Sequence, residues 1–189
     1  MTDHLMIPLQ ITERQTTYSC PFMEIYHRRA QFDGFAKDYY VVSFKRRGGI
    51  VAVQNGNVLL VRQYRFLING HSWELPGGTI EDAENMEHGL IRECFEETGV
   101  RPRRLQPLVV YYPGLDNVDN RTTVFYSENV EIAGPFKGNP AEVSQIAWIP
   151  FDTCLQMVFS QQILDAMTVA GLLAYDHVSR QRNISGRRA

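Results

Sequence analysis

The sequence predicts an α+β fold in which a mixed β-sheet is layered between helices and preceded by an antiparallel strand extension. Three observations predict it. Short runs rich in aromatic and branched residues recur along the chain, separated by Gly, Pro and Asn. One helix-length stretch, residues 84–98, interrupts them. Two more, residues 151–159 and 163–179, close the chain.

Residues 23–32 and 39–44 are strands by their aromatic and β-branched content, with Asp33 and Gly34 as turn chemistry between them. Residues 50–53 and 58–64 flank Asn55 and Gly56, a pair that tolerates the positive φ of a tight hairpin. Residues 73–75 make a short strand stopped by Pro76, Gly77 and Gly78, because proline cannot donate to a ladder. A loop leads into the helix of residues 84–98, which Gly99 caps. Residues 108–112, 122–126 and 146–149 are further strands. In the last helix Ile163, Met167, Ala170, Leu173 and Ala174 form the apolar stripe.

A chain of 189 residues suits one domain with an appendage. Lys and Arg number 19 against 21 Asp and Glu, a net charge of −2. No general field therefore attracts nucleic acid or an anionic membrane, neither is an expected partner, and any bound anion must be held by local groups. Cys20, Cys94 and Cys154 are widely spaced, with no CxxC pair, so neither a disulfide framework nor a zinc knuckle is indicated. The five histidines show no metal-ligand spacing either. Residues 1–15 carry Asp3 and Glu13 in place of a targeting pattern, and Asp165 breaks the longest apolar stretch. The expected location is cytoplasmic.

The chemistry concentrates in residues 78–100. At 100° per residue, Glu93, Glu96 and Glu97 project within about 100° of arc on one helical face. Carboxylates so placed repel, and Arg92 can offset only part of the charge. A solvated acidic face is the plain reading. A hard divalent cation is the alternative: Mg²⁺ is usually held by one or two carboxylates, with water and substrate phosphates completing its shell. Leu90, Ile91, Cys94 and Phe95 clamp the helix into the core, and the loop at Leu75, Pro76, Gly77 and Gly78 offers carbonyl oxygens beside it. Both features favour the site.

This segment fits the Nudix signature, G x5 E x7 R E U x E E x G U, at Gly78, Glu84, Arg92, Glu93, Glu96, Glu97, Gly99 and Val100. Cys94 stands where the pattern prefers a larger aliphatic residue. The preceding Val61-Arg62-Gln63-Tyr64-Arg65 and Trp73-Glu74-Leu75-Pro76-Gly77-Gly78, and the later Tyr112-Pro113-Gly114, resemble ADP-ribose and nucleoside-diphosphate-sugar pyrophosphatases.

The resemblance implies a Nudix-type α/β/α sandwich and metal-dependent hydrolysis of the pyrophosphate bond in ADP-ribose or a related nucleoside-diphosphate sugar. Nucleoside triphosphates, NADH and non-catalytic nucleotide binding are the alternatives it leaves. It implies Gly77, Glu93, Glu96 and Glu97 as metal ligands, Mg²⁺ as cofactor with Mn²⁺ as substitute, and Arg92 and Glu84 as groups that lock the carboxylates. Arg65 is the implied phosphate contact. Glu74 either touches the ribose or metal region or pairs with Arg65. The general base is Glu142 or Glu93. The loop 113–121 lacks the glutamate associated with ADP-ribose enzymes, which leaves the sugar open. By the same resemblance residues 1–45 form a strand extension that builds a homodimer and residues 46–180 the Nudix domain, while residues 181–189 read as a basic flexible tail.

Overall fold

A nearly unbroken apolar run at residues 48–53 is buried on both sides, and the larger of two compact units is built around it. The structure, a computed structural model, describes residues 6–135 and 143–186. The units are Met1–Lys45 with Tyr112–Arg121, and Arg46–Tyr111 with Thr122–Ala189.

The first unit is a five-stranded sheet of β1 (Gln10–Ile11), β2 (Gln15–Ser19), β3 (Glu24–Phe32), β4 (Phe35–Ser43) and β11 (Val118–Asp119). β1 and β2 follow one another along one edge of β3, β4 pairs with its other edge, and β11 runs parallel to β4. The hairpin of β3 and β4 turns at Asp33 and Gly34 as expected, with Gly34 at φ 83°. β1, β2 and β11 carry no apolar alternation and have no counterpart in the sequence reading.

The second unit contains β5 (Arg47–Gln54), β6 (Asn57–Arg65), a 3-10 turn (Phe66–Ile68), β7 (Gly70–Glu74), β8 (Gly77–Thr79) and α1 (Met86–Thr98). After these come β9 (Val100–Arg103), β10 (Gln106–Tyr111), β12 (Thr122–Ser127), β13 (Asn129–Ile132), β14 (Gln145–Pro150), α2 (Phe151–Phe159) and α3 (Ala166–Gly186). The main sheet runs β10-β12-β5-β6-β14, and β9 pairs with β13 as a separate ribbon. Strand alternation sends Ile50 and Ala52 toward α1, where they meet Leu90 and Cys94. Val51 and Val53 point the other way, into a core with Met167 and Leu172 of α3 and Met157 of α2. The result is helix, sheet, helix. Fully buried Leu59, Leu60, Leu90 and Leu172 each contribute about 2 kcal/mol to holding these layers together.

Two features of the sheet position the site. β5 and β6 pair only at Val53 with Val58 and Gln54 with Asn57, and then part. β8 takes the freed edge of β5 and β7 that of β6, so the start of β5 and the end of β6 flank an opening, bridged by Leu75 and Pro76. Gly77 and Gly78, expected as part of a loop, therefore belong to a strand. They pair with Gly49 and Gly48, and the absence of side chains on all four lets the backbones close in.

Local chemistry explains the shifted helix ends. α1 starts at Met86 because Asn85, in extended conformation, accepts hydrogen bonds from the Glu87 and His88 amides through its side chain. Glu84 is thereby in the loop, two residues before the helix. Gly99 caps the other end at φ 74°, donating its amide to the Phe95 carbonyl at 2.8 Å. α3 starts at Ala166, not Ile163, since Asp165 Oδ2 accepts the Thr168 amide at 2.8 Å, and it continues to Gly186.

A Cβ added to Gly77, at φ 152°, would lie 2.3 Å from the Gly48 carbonyl oxygen and 2.6 Å from Gly49 Cα. Both obstacles are backbone. Gly77→Ala is expected to lower the free energy of unfolding by about 2 kcal/mol or more. Urea denaturation measures this, and an unchanged midpoint would count against the close strand approach.

Candidate active site

The site is built on α1 and on the two strands that diverge beneath it. Arg46 straps the loop before the helix: its Nη2 donates to the carbonyl oxygens of Glu81 at 2.6 Å, Asp82 at 3.1 Å and Glu84 at 2.9 Å. This loop delivers the Glu84 carboxylate over Gly89, where an added Cβ would come within 2.8 Å of Glu84 Oε2. Glu84 then takes a two-pronged hydrogen bond from Arg92, Nε at 3.1 Å and Nη2 at 3.0 Å. The guanidinium holds the Glu84 carboxyl below the usual range.

Arg92 has a third nitrogen to spend. Its Nη1 lies 2.7 Å from Glu93 Oε1 and 2.9 Å from Glu96 Oε2. Four charged groups thus form one network, which raises the guanidinium's pKa, chiefly through its bond to Glu84. Glu96 is 57% exposed and its charge is largely answered by Arg92 and solvent. Glu93 is more enclosed, and burial raises its carboxyl above the ordinary value, with Arg92 opposing. Its Oε2 faces Gly78, where an added Cβ would sit 2.8 Å away.

Glu97 is the most enclosed of the three. Its Oε2 accepts the Gly77 amide at 2.8 Å and its Oε1 the Gln63 Nε2 at 3.0 Å. No cation forms an ion pair with it among the described residues. Burial, with the Glu93 charge adding to it, pushes its carboxyl up to about 7, against the pull of those two donors and of the Arg65 charge.

The predicted residues are therefore brought together in part. Glu93, Glu97 and Gly77 adjoin, while Glu96 is turned toward Arg92. Arg65 is engaged elsewhere: its Nε donates to Glu74 Oε1 at 2.7 Å and its Nη2 to Glu74 Oε2. Glu74 is only 4% exposed, so Arg65 is bound to a buried carboxylate. Glu142 lies outside the described residues. Sequence reasoning assigned no role to Gln63, Arg46 or Gly89. For Gln63 the signal was a polar residue within the apolar run of β6, and it is 8% exposed.

Among the described residues no three His, Cys, Asp or Glu side chains converge as a metal cage. Two enclosed carboxylates that share a single guanidinium between them, on Glu93, nonetheless fit a hard divalent cation, because Mg²⁺ needs few protein ligands and takes water and phosphate oxygens for the rest. The thiols of Cys94 and Cys154, pushed up to about 12 by burial, are not competing ligands.

Glu97 makes the metal-free protein sensitive to pH. A carboxyl raised in the folded state binds a proton that the unfolded chain has already lost, so stability falls as pH rises from 4.5 through about 7. The full penalty, up to about 3 kcal/mol, is present above that window and absent below it. Glu97→Gln should flatten this slope and raise the thermal midpoint of metal-free protein at pH 8. Calorimetric scans across the window check it, and an unaltered slope contradicts the burial of a charge.

The NUDIX domain profile matches residues 44–165. The chain is 30% identical over 125 residues to the CMP-5'-(N-acetyl-N-hydroxy-3-aminopropyl)phosphonate hydrolase of Streptomyces rubellomurinus, a match spanning 66% of this chain and 60% of that one. It is 25% identical to an ADP-ribose pyrophosphatase of Bacillus subtilis over 72% of this chain and 75% of the relative. A Mycobacterium tuberculosis ADP-ribose pyrophosphatase is 29% identical over 69% of this chain and 64% of its own length. The fold resembles the crystal structure of an ADP compounds hydrolase, with a TM-score of 0.76, 13% identity and 94% and 95% of the two chains covered. Together with the signature on α1 and its preceding loop, the profile match shows that this chain belongs to the Nudix domain family.

Proposed function

We propose that this protein hydrolyses the pyrophosphate bond of ADP-ribose or a related nucleoside-diphosphate sugar, giving a nucleoside monophosphate and a sugar phosphate, with Mg²⁺ as cofactor and Mn²⁺ as substitute. One observation carries the reading. Glu93 and Glu97 are held against Gly77 and Gly78, Glu93 sharing Arg92 with Glu84 and Glu96, and Glu97 having no ion-pair partner among the described residues. The pyrophosphatases of B. subtilis and M. tuberculosis support the substrate class.

Glu93, Glu97 and the Gly77 carbonyl would hold the cation, and Glu96 would reach it by leaving Arg92. A divalent ion supplies charge neutralisation for the diphosphate and lowers the pKa of water. The chain's own groups do the positioning. Gln63 and the Gly77 amide fix the Glu97 carboxylate, and Arg92, anchored by Glu84, fixes Glu93. Glu93 Oε2 is also an acceptor for the proton of the attacking water, a role shared in expectation with Glu142.

The Streptomyces relative favours a second reading, in which the nucleotide is a cytidine monophosphate joined to a phosphonate. A substrate panel of ADP-ribose, other nucleotide sugars, NADH, nucleoside triphosphates and a CMP-linked phosphonate separates these by product. Cleavage of nucleotide sugars with added Mg²⁺ is expected, and no cleavage of any nucleotide sugar rejects the leading reading. Glu97→Gln and Glu93→Gln should each lower kcat by about 10²-fold or more while the circular dichroism spectrum is unchanged. Full activity in either variant would contradict the assignment.

A homodimer through the first unit is proposed on the same resemblance. Phe22 and Tyr40, 83% and 64% exposed in that unit, support it as apolar surface. Sedimentation equilibrium should give twice the chain mass, and a monomer at micromolar concentration would reject it.

A further inference from the structure

Arg65 and Glu74 form an ion pair with one open end. The Arg65 side chain is 44% exposed, and that of Glu74 5%. The guanidinium meets the carboxylate along one edge, Nε donating to Glu74 Oε1 at 2.7 Å and Nη2 to Glu74 Oε2. Nη1 makes no hydrogen bond to a described residue. Arg65 therefore has N–H groups to offer at its Nη1 and Nη2 end without leaving Glu74.

The strand register puts this open end on the face of the sheet that carries the proposed site. Gln63, two residues earlier on β6, reaches Glu97 of α1 with its side chain, and alternation sends Arg65 to the same face. Glu74 stands opposite Val61 and shares that face. The positive charge of Arg65 also acts on the Glu97 carboxyl, pulling it down against burial. A diphosphate bound to a cation at Glu93 and Glu97 would lie on this side, where Arg65 is open to solvent.

Glu74 contributes little to stability in this arrangement, because a buried ion pair holds a core no better than apolar groups of similar volume. What it supplies is direction. An arginine on a strand end has many rotamers, and a ligand that must order it loses affinity in doing so. Glu74 orders it in advance and is itself fixed by the backbone. It sits in the β6–β7 ladder, and the next amide, of Leu75, donates to Thr168 Oγ1 of α3 at 2.9 Å.

We propose that Glu74 is a positioning residue, which holds Arg65 by one edge so that the opposite end donates to a phosphoryl oxygen of the diphosphate. Glu74 itself touches neither metal nor substrate. The inference rests on the pyrophosphohydrolase reading for its ligand class.

The test is a double-mutant cycle read by titration calorimetry of imidodiphosphate, which needs no turnover, into the full chain with Mg²⁺ present. Arg65→Gln and Glu74→Gln should each weaken binding by about tenfold, and the double variant should bind no more weakly than Arg65→Gln alone. Steady-state kinetics of Glu74→Gln should show the loss in KM more than in kcat. Thermal scans establish that each variant is folded, and Glu74→Met, of similar length, should lose as much and carries the test if Glu74→Gln does not fold. A folded Glu74 variant that binds imidodiphosphate as well as the wild type, or better, overturns the proposal. So does a double variant weaker than Arg65→Gln, since Glu74 would then act by another route. Should the cycle hold while no nucleotide sugar is cleaved, the function proposed above fails and the positioning of Arg65 stands.

Discussion

Two carboxylates of like charge, Glu93 and Glu97, are pressed against the two glycines that open β8, and the neighbouring structure is arranged around that contact. Gly77 and Gly78 must be glycine on two counts. β8 has to lie close against Gly48 and Gly49 of β5, and Glu93 has to reach in over Gly78. A helix that buries such a pair loses stability unless something else in the protein compensates. α1 is held by Leu90 and Cys94 in the core, by the Asn85 cap, and by Gly99 at its far end. Packing thus sustains an electrostatic arrangement that the isolated helix would not tolerate.

Compensation is unevenly distributed. Arg92 serves Glu84, Glu93 and Glu96 at once, and the Arg46 strap keeps Glu84 where Arg92 needs it. Glu97 is left with two neutral donors, an amide and the Gln63 side chain. The network therefore holds three acidic groups by internal charge and leaves the fourth to a ligand. That asymmetry distinguishes a site from a salt-bridged helix face, in which every carboxylate would be paired or exposed.

Much of this was legible in the sequence because the signature on residues 78–100 carries its own geometry. Its glutamate spacing sets the helical face, and Gly99 gives the end of the helix. What was not legible arose from contacts between distant segments. Strand β8 depends on four glycines meeting across the sheet, which no local pattern reveals. Glu84 stands outside α1 because Asn85 is the stronger cap, a competition decided by one side chain. The pairing of Arg65 with Glu74 was one of two readings for Glu74, and burial decided it. The strands β9 and β13 form a ribbon of their own, stabilised by pairing more than by composition.

The central claim is that Glu97 waits for a divalent cation, and proton release on metal binding tests it most directly. A carboxyl poised near 7 must give up its proton when it becomes a ligand. Titrating Mn²⁺ into the protein at pH 7 in buffers of different ionisation enthalpy should show release of about half a proton per site, lost together with most of the affinity in Glu97→Gln. Equal affinity and equal proton release in the wild type and the variant would contradict the account.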